Sequence, residues 1–362
     1  MDRRAFLAGL VFAGGCSPPE TPNKASASEK KGAATSPAVA DDKPATSANA
    51  AATRIPRVAT LVYGPRATGA ASATAIGVSP VTLFRERLRE VGYIEGKTIA
   101  IEESYADGDP QRLEALATEI VATNPEVIVA IAAAATAAAR RATATIPIVM
   151  VHAGDPVGAG WAVSLAKPGG NVTGSTSQIP ELGSKQVELL RELVPNLARL
   201  GVLVNPTNSG TPLLVANLKE AARRFNISLT VAEVTRAEDF DAALRLLDGA
   251  RLDALFVMIE PMIHLNRARV LEFAARNRLP ASYDVGRETV REGGLISFGP
   301  LLSTHYALAA DYVDKILKGA KPADLPVQQP TQFALVVNVR TAKSLGLTVP
   351  PSVLTRADEV IQ

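Results

Sequence analysis

Short apolar runs rich in β-branched residues alternate along the chain with stretches whose apolar positions recur at helical spacing. The runs predict strands at residues 57–63, 98–104, 127–131, 146–151, 200–204, 228–233, 254–259, 280–283 and 295–298. Between them, Leu83, Phe84, Leu88 and Val91 fall on one helical face, as do Leu113, Leu116, Ile120 and Val121, and later Leu271, Ala274 and Ala275. Near-continuous apolar strands separated by amphipathic helices point to parallel sheets covered on both faces, an α/β fold. After Gly294 the pattern reads as a strand, a helix over 306–318 and a further strand over 333–338.

This pattern starts only near residue 55. From Ser17 to Arg54 the chain consists mainly of Ala, Ser, Thr, Pro and Lys, with Val39 its sole large aliphatic residue. Such a segment cannot bury enough apolar surface to offset its ordering entropy, so residues 17–54 are expected to form a disordered tether. Ahead of it, Arg3-Arg4 precede an apolar stretch that is too short to span a bilayer as a helix, which needs about 20 residues. Residues 1–16 therefore read as an export signal. Ala13, Gly14 and Gly15 lead directly into Cys16, the only cysteine. They resemble a lipobox, which implies lipidation of that thiol and a membrane anchor, while the paired arginines followed by Phe6-Leu7 resemble a twin-arginine signal. An ordinary cleaved signal with an incidental cysteine is the alternative.

The remaining residues exceed a usual single core and suggest two lobes. A lone cysteine excludes an intramolecular disulfide. The net charge of +2, from 38 basic and 36 acidic residues, is spread along the chain and gives no electrostatic case for nucleic acid. Catalytic and cofactor signatures are missing too. The three histidines, His152, His264 and His305, lack metal-ligand spacing. Gly154, Gly158 and Gly160 do not make a dinucleotide fingerprint, and neither a phosphate-binding loop nor a nucleophile elbow occurs. No cofactor and no metal is expected, and His152 reads as a strand-end residue with structural hydrogen bonds.

Three stretches carry a resemblance. The first is Tyr312-Val313-Asp314-Lys315-Ile316-Leu317-Lys318-Gly319-Ala320-Lys321-Pro322, with Thr341-Ala342-Lys343-Ser344-Leu345-Gly346-Leu347 after it. The others are Ile146-Pro147-Ile148-Val149-Met150-Val151-His152-Ala153-Gly154-Asp155-Pro156 and Leu165-Ala166-Lys167-Pro168-Gly169-Gly170-Asn171-Val172-Thr173-Gly174. In content and order they resemble a bacterial family of ABC-transporter substrate-binding proteins that includes tryptophan- and phenylalanine-binding members. The resemblance runs from about Arg57 to Gln362. It implies a type I periplasmic-binding-protein architecture: two Rossmann-like lobes with parallel sheets, joined by three crossover strands. The N-terminal lobe is expected to hold residues 55–175 and 297–330, and the C-terminal lobe 176–296 and 331–362. It also implies an exported receptor, expected to be a monomer, that hands a small, amino-acid-like solute to an ABC permease without chemical turnover. A periplasmic sensor reporting to a membrane receptor, or a secreted enzyme on a doubly wound fold, are the alternatives.

In open parallel sheets, ligands bind at the carboxyl ends of strands. The strand-end candidates are Tyr63, Ala135 and Thr136, Asp155, Asn205, Glu260, and Tyr283 with Asp284 beside it. Thr136 lies where a helix should begin, a place suited to a carboxylate; the resemblance makes it a ligand-carboxylate site, and the alternative is a residue that merely caps or decorates an alanine-rich helix. Asp155 and Glu260, each at a strand end before a proline, read either as partners for a ligand ammonium or as loop acids. Asn205 offers both donor and acceptor atoms but is also an ordinary turn starter before Pro206. Tyr63 and Tyr283 either cover an apolar ligand or pack at a lobe edge; aromatic residues are only 4% of the chain, which singles them out.

Overall fold

The computed structural model describes residues 54–66, 80–177 and 182–362. The expected export signal with Cys16, and the expected tether up to residue 53, lie outside the described residues. Residues Ile55–Gln362 form one compact unit.

Five strands make the first sheet: β1 (Arg57–Val62), β2 (Ala100–Tyr105), β3 (Val127–Ile131), β4 (Ile148–Ala153) and β5 (Val172–Thr176). Their order is β2-β1-β3-β4-β5, and every pairing is parallel. Parallel neighbours require crossovers. Helices α1 (Pro80–Glu90), α2 (Pro110–Ala122) and α3 (Ala132–Ala142) supply those as far as β4, and residues 154–171 link β4 to β5 without a helix. Asp109 starts α2 by accepting hydrogen bonds from the backbone of Gln111 (2.7 Å) and Arg112, and Pro110 at the first position needs no N–H partner. Leu113, Ala117 and Ile120 then repeat along one face and are buried against the sheet. All five residues of β3 are buried, as a strand covered on both faces requires.

The second sheet begins with β6 (Arg199–Val204), β7 (Ser228–Glu233), β8 (Ala254–Val257), β9 (Ala281–Tyr283) and β10 (Ile296–Pro300). Helices α4 (Leu182–Leu193), α5 (Thr211–Arg224), α6 (Phe240–Gly249), α7 (Pro261–Leu265), α8 (Arg267–Arg276) and α9 (Arg287–Arg291) accompany these strands. After β10 the chain returns to the first lobe, where α10 (Leu302–Leu317) packs on α1 and over β3, β4 and β5. Tyr306, Ala309, Ala310 and Val313 of α10 share a core with Phe84 and Leu88 of α1 and with Val129 and Val149. The chain then crosses a third time to add β11 (Phe333–Asn338) and β12 (Glu359–Ile361), giving the order β12-β11-β10-β9-β8-β6-β7. The two lobes and their parallel sheets thus have the expected architecture.

Three details depart from the sequence reading. Residues 297–300 were expected in the N-terminal lobe, yet β10 pairs with β9 and belongs to the second sheet. The apolar run alone does not mark where a chain changes lobes. Strand β11 runs antiparallel to β10. Its direction follows from connectivity: β10 leaves its sheet at the edge facing the other lobe, and the returning chain enters there and must run back. The third departure is β5, absent from the expected strands because its Val-Thr-Gly-Ser-Thr run is not apolar. Gly174 within it has φ +122°, and a Cβ there would lie 2.1 Å from the Met150 carbonyl oxygen. Only glycine fits.

Candidate functional site

The carboxyl ends of the two sheets meet. A Cβ built on Gly154, just beyond β4, would lie 2.3 Å from the backbone nitrogen of Gly210 and 2.6 Å from Ser209 Oγ, both in the loop that follows β6. Gly108, after β2, approaches Leu265 of α7 in the same way. The lobes therefore touch along the rims of a cleft, with strand-end residues between them.

On the first lobe, Tyr63 follows β1 and is buried. Burial pushes its phenol up to about 12, with the Glu260 and Asp109 carboxylates adding to the effect. Glu260 belongs to the second lobe, so these two expected residues confront each other across the cleft. Val62 pairs with Ile131, which makes Tyr63 and the start of α3 lateral neighbours on one sheet edge. Helix α3 begins at Ala132 with no side-chain cap, and Ala132 has φ +70°, a left-handed conformation rare for residues other than glycine. The Thr136 hydroxyl is buried and donates to the Ala132 carbonyl at 2.9 Å, so it decorates the helix instead of capping it. Ala133 and Ala135 are buried with it. What remains at this helix start is a set of backbone N–H groups with the positive end of the helix behind them, an arrangement that favours an anion.

The second lobe presents acids. Glu260 ends the segment after β8, is only 8% exposed, and accepts a hydrogen bond from the Ile263 backbone at 2.8 Å as the cap of α7. Burial raises its carboxyl, while the bonds from the backbone of Ile263 and Met262 and from the Asn205 side chain pull the other way. The Asn205 side-chain oxygen Oδ1 accepts from Thr207 N (3.0 Å) and from the Thr207 hydroxyl (2.7 Å), leaving its side-chain NH2 for Glu260. Beside Glu260 stands Asp284, also buried, which accepts from Ile259 N at 2.6 Å and Val285 N at 2.7 Å. Burial, with Glu260 contributing, pushes Asp284 up to about 7. Among the described residues, no cationic side chain is among the groups acting on either acid. Two desolvated carboxylates without a counter-ion are costly unless a cation joins them.

Two expected residues stand apart. Asp155 accepts from the backbone of Val157 (3.0 Å) and Gly158 (2.8 Å), so its carboxylate shapes its own loop. Tyr283 is fully buried, with its Cβ beside Gly286, its ring against Gly294 and its hydroxyl unpartnered. Alternation along β9 sends this ring under the helix layer and leaves the next residue, Asp284, at the strand's end. Among the described residues, no group of three or more His, Cys, Asp or Glu side chains is placed to hold a metal ion, and no helix is long and apolar enough to cross a membrane.

Comparison with known proteins agrees with the two-lobed fold. A tyrosine-binding protein of Clostridioides difficile (strain R20291) is 28% identical over 265 residues, covering 73% of this chain and 75% of that protein. The structure of the ABC domain from Streptococcus pneumonia in complex with L-Trp superposes with a TM-score of 0.77 at 26% identity, covering 85% of this chain and 100% of that one. A conserved domain protein from Vibrio cholerae superposes equally well, at 0.77 and 30% identity, with coverage of 85% and 100%. Residues 80–361 match the family model described as ABC transporter substrate binding protein, and the chain belongs to that family.

Proposed function

We propose that this substrate-binding protein captures a free amino acid, aromatic ones foremost, between its lobes and delivers it to an ABC permease for import. The observation that carries the reading is the pairing of opposite demands in one cleft. An uncapped helix start on the first lobe suits a carboxylate, and Glu260 with Asp284 on the second suits an ammonium. A zwitterion satisfies both only when the lobes are closed, so the ligand stabilises the closed form by its differential affinity. Tyr63 lies between the two groups' strand ends and is the aromatic surface available to a side chain. The relatives that bind tyrosine and L-Trp support aromatic ligands. Binding without turnover is the expected activity.

The test is calorimetric titration with L-tyrosine, L-tryptophan and L-phenylalanine, beside tyramine and 3-(4-hydroxyphenyl)propanoate, the analogues of tyrosine that lack the carboxylate and the amine respectively. At least one amino acid should bind, and both truncated analogues should bind at least about tenfold more weakly, since each loses a charge-assisted contact. Equal binding of an amino acid and its truncated analogue would sink the zwitterion reading.

The N-terminal sequence supports a lipid anchor at Cys16 that holds the receptor on the outer side of the membrane. Changing Cys16 to Ser is then expected to move the protein from the detergent phase to the aqueous phase in a Triton X-114 partition of whole cells. Unaltered partitioning would exclude lipidation at this residue.

A further inference from the structure

Among the described residues, most buried polar side-chain atoms that lack a hydrogen-bond partner lie inside one lobe. His152 Nε2 and both ring nitrogens of His305 meet within the first, and the hydroxyls of Tyr283 and Thr289 lie in the core of the second. His152 Nε2 therefore lacks the structural hydrogen bond expected of that side chain, and its backbone N–H donates to Ser175 Oγ at 3.1 Å instead. Ser209 differs from all of these. Its Oγ is buried and unpartnered in the loop after β6, and the group set against it belongs to the other lobe: a Cβ built on Gly154 would lie 2.6 Å from this oxygen.

The loop's own bonding explains why the hydroxyl finds no partner. Asn205 Oδ1 accepts from the backbone and the hydroxyl of Thr207, and Asn208 Oδ1 accepts from Gly210 N at 2.9 Å. The Asn205 carbonyl accepts from the Thr211 hydroxyl at 2.5 Å, and the Asn208 carbonyl from Thr211 N at 3.0 Å. Each of these acceptors is engaged before Ser209 can use it. Across the rim, the Gly154 carbonyl is taken by the Thr176 hydroxyl. What faces Ser209 there is the Gly154 Cα, which also packs on Gly210, where a Cβ would lie 3.2 Å from it. Neither glycine has a side chain that could offer the hydroxyl a bond.

We infer that Ser209 sets the affinity of the cleft by opposing its closure: the lobes strip water from the Ser209 hydroxyl as they meet and give it nothing in exchange. The inference rests on the reading that ligand is captured between the lobes. With the lobes apart, Gly154 withdraws and water can bond the hydroxyl; with the lobes together, a polar group is desolvated without compensation, a loss far larger than the net gain from an ordinary hydrogen bond. The open form is favoured accordingly, and each bound ligand must overcome the same loss. A penalty of the usual size for one buried, unpaired hydroxyl corresponds to roughly fivefold to a hundredfold in the closed-to-open ratio. It keeps the empty receptor open and lets a bound solute leave again.

Ser209→Ala removes the hydroxyl and leaves the loop's bonds in place, since none of them uses Oγ. Titrated by calorimetry with whichever of L-tyrosine, L-tryptophan and L-phenylalanine binds the wild type best, the full-length variant should bind roughly fivefold to a hundredfold more tightly. Ser228→Ala makes the same change at the amino end of β7, away from the cleft, and should match the wild type. Unchanged binding by the Ser209 variant would mean that closure does not desolvate the hydroxyl, and weaker binding that the hydroxyl serves the ligand; either overturns the inference. If none of the three amino acids binds, the proposed ligand class fails while Ser209 is still decided, by the ligand-free radius of gyration from small-angle scattering. That radius should be smaller in Ser209→Ala than in the wild type and in Ser228→Ala, and an equal or larger radius would overturn the inference.

Discussion

Gly154→Val should abolish ligand capture while leaving both lobes folded, with affinity for the best amino acid falling by at least about a hundredfold. A Cβ at this position would lie 2.3 Å from Gly210 N and 2.8 Å from Asn208 Oδ1. The nearest obstacle is backbone of the opposite lobe and cannot swing aside, so the larger side chain holds the rims apart. Neither lobe's core contains this contact, so the melting temperature of the ligand-free protein should change little. Gly158→Ala is the control, since its Cβ would meet only the Asp155 carboxylate within one loop. Calorimetry and the scattering radius together check the result: wild-type affinity in the Gly154 variant would mean that capture does not require the contact seen here.

Glu260→Ala should have the next largest effect, weakening an amine-bearing ligand by roughly tenfold to a hundredfold, the worth of a lost charge-assisted hydrogen bond of about 1.5–3 kcal/mol. Asp284→Asn should act in the same direction. Asp155→Ala should cost the ligand little, because that carboxylate is occupied by the N–H groups of Val157 and Gly158. The ratio of a ligand's affinity to that of its deaminated analogue is the informative measurement. The ratio should collapse toward one in the Glu260 variant and persist in the Asp155 variant; an unchanged ratio in the Glu260 variant would put the amine elsewhere.

How much of this was legible in the chain depends on what each feature needs from its neighbours. Strands such as Val127–Ile131 and helices such as Pro110–Ala122 announce themselves, because burial on both faces or on one stripe imposes a local period. Strand β5 does not, since Gly174 is there for the approach of Met150, a residue far away in sequence. The lobe switch near residue 297 is likewise a matter of pairing partners, which apolar content does not encode. Strand-end reasoning found Tyr63, Asn205 and Glu260, which the fold brings together, because a strand's carboxyl end is a local property. It could not tell Tyr283 from Asp284, as one residue's shift along a strand exchanges core for cleft. The apposition of Gly154 with Gly210 was invisible for the same reason: a contact between lobes leaves no periodicity in either.

The long detour between β10 and β11 governs how the polypeptide can be made. The first lobe lacks the cover of α10 over β3, β4 and β5 until residues past 300 have emerged from the ribosome. The second has an unpaired edge at β10 until residues 333–338 arrive. Neither lobe can finish before synthesis is almost complete, and a nascent chain halted at residue 300 would carry two unfinished cores, each with apolar surface and strand edge open to aggregation. The connectivity therefore makes both lobes depend on the last-made part of the chain for their final burial and pairing.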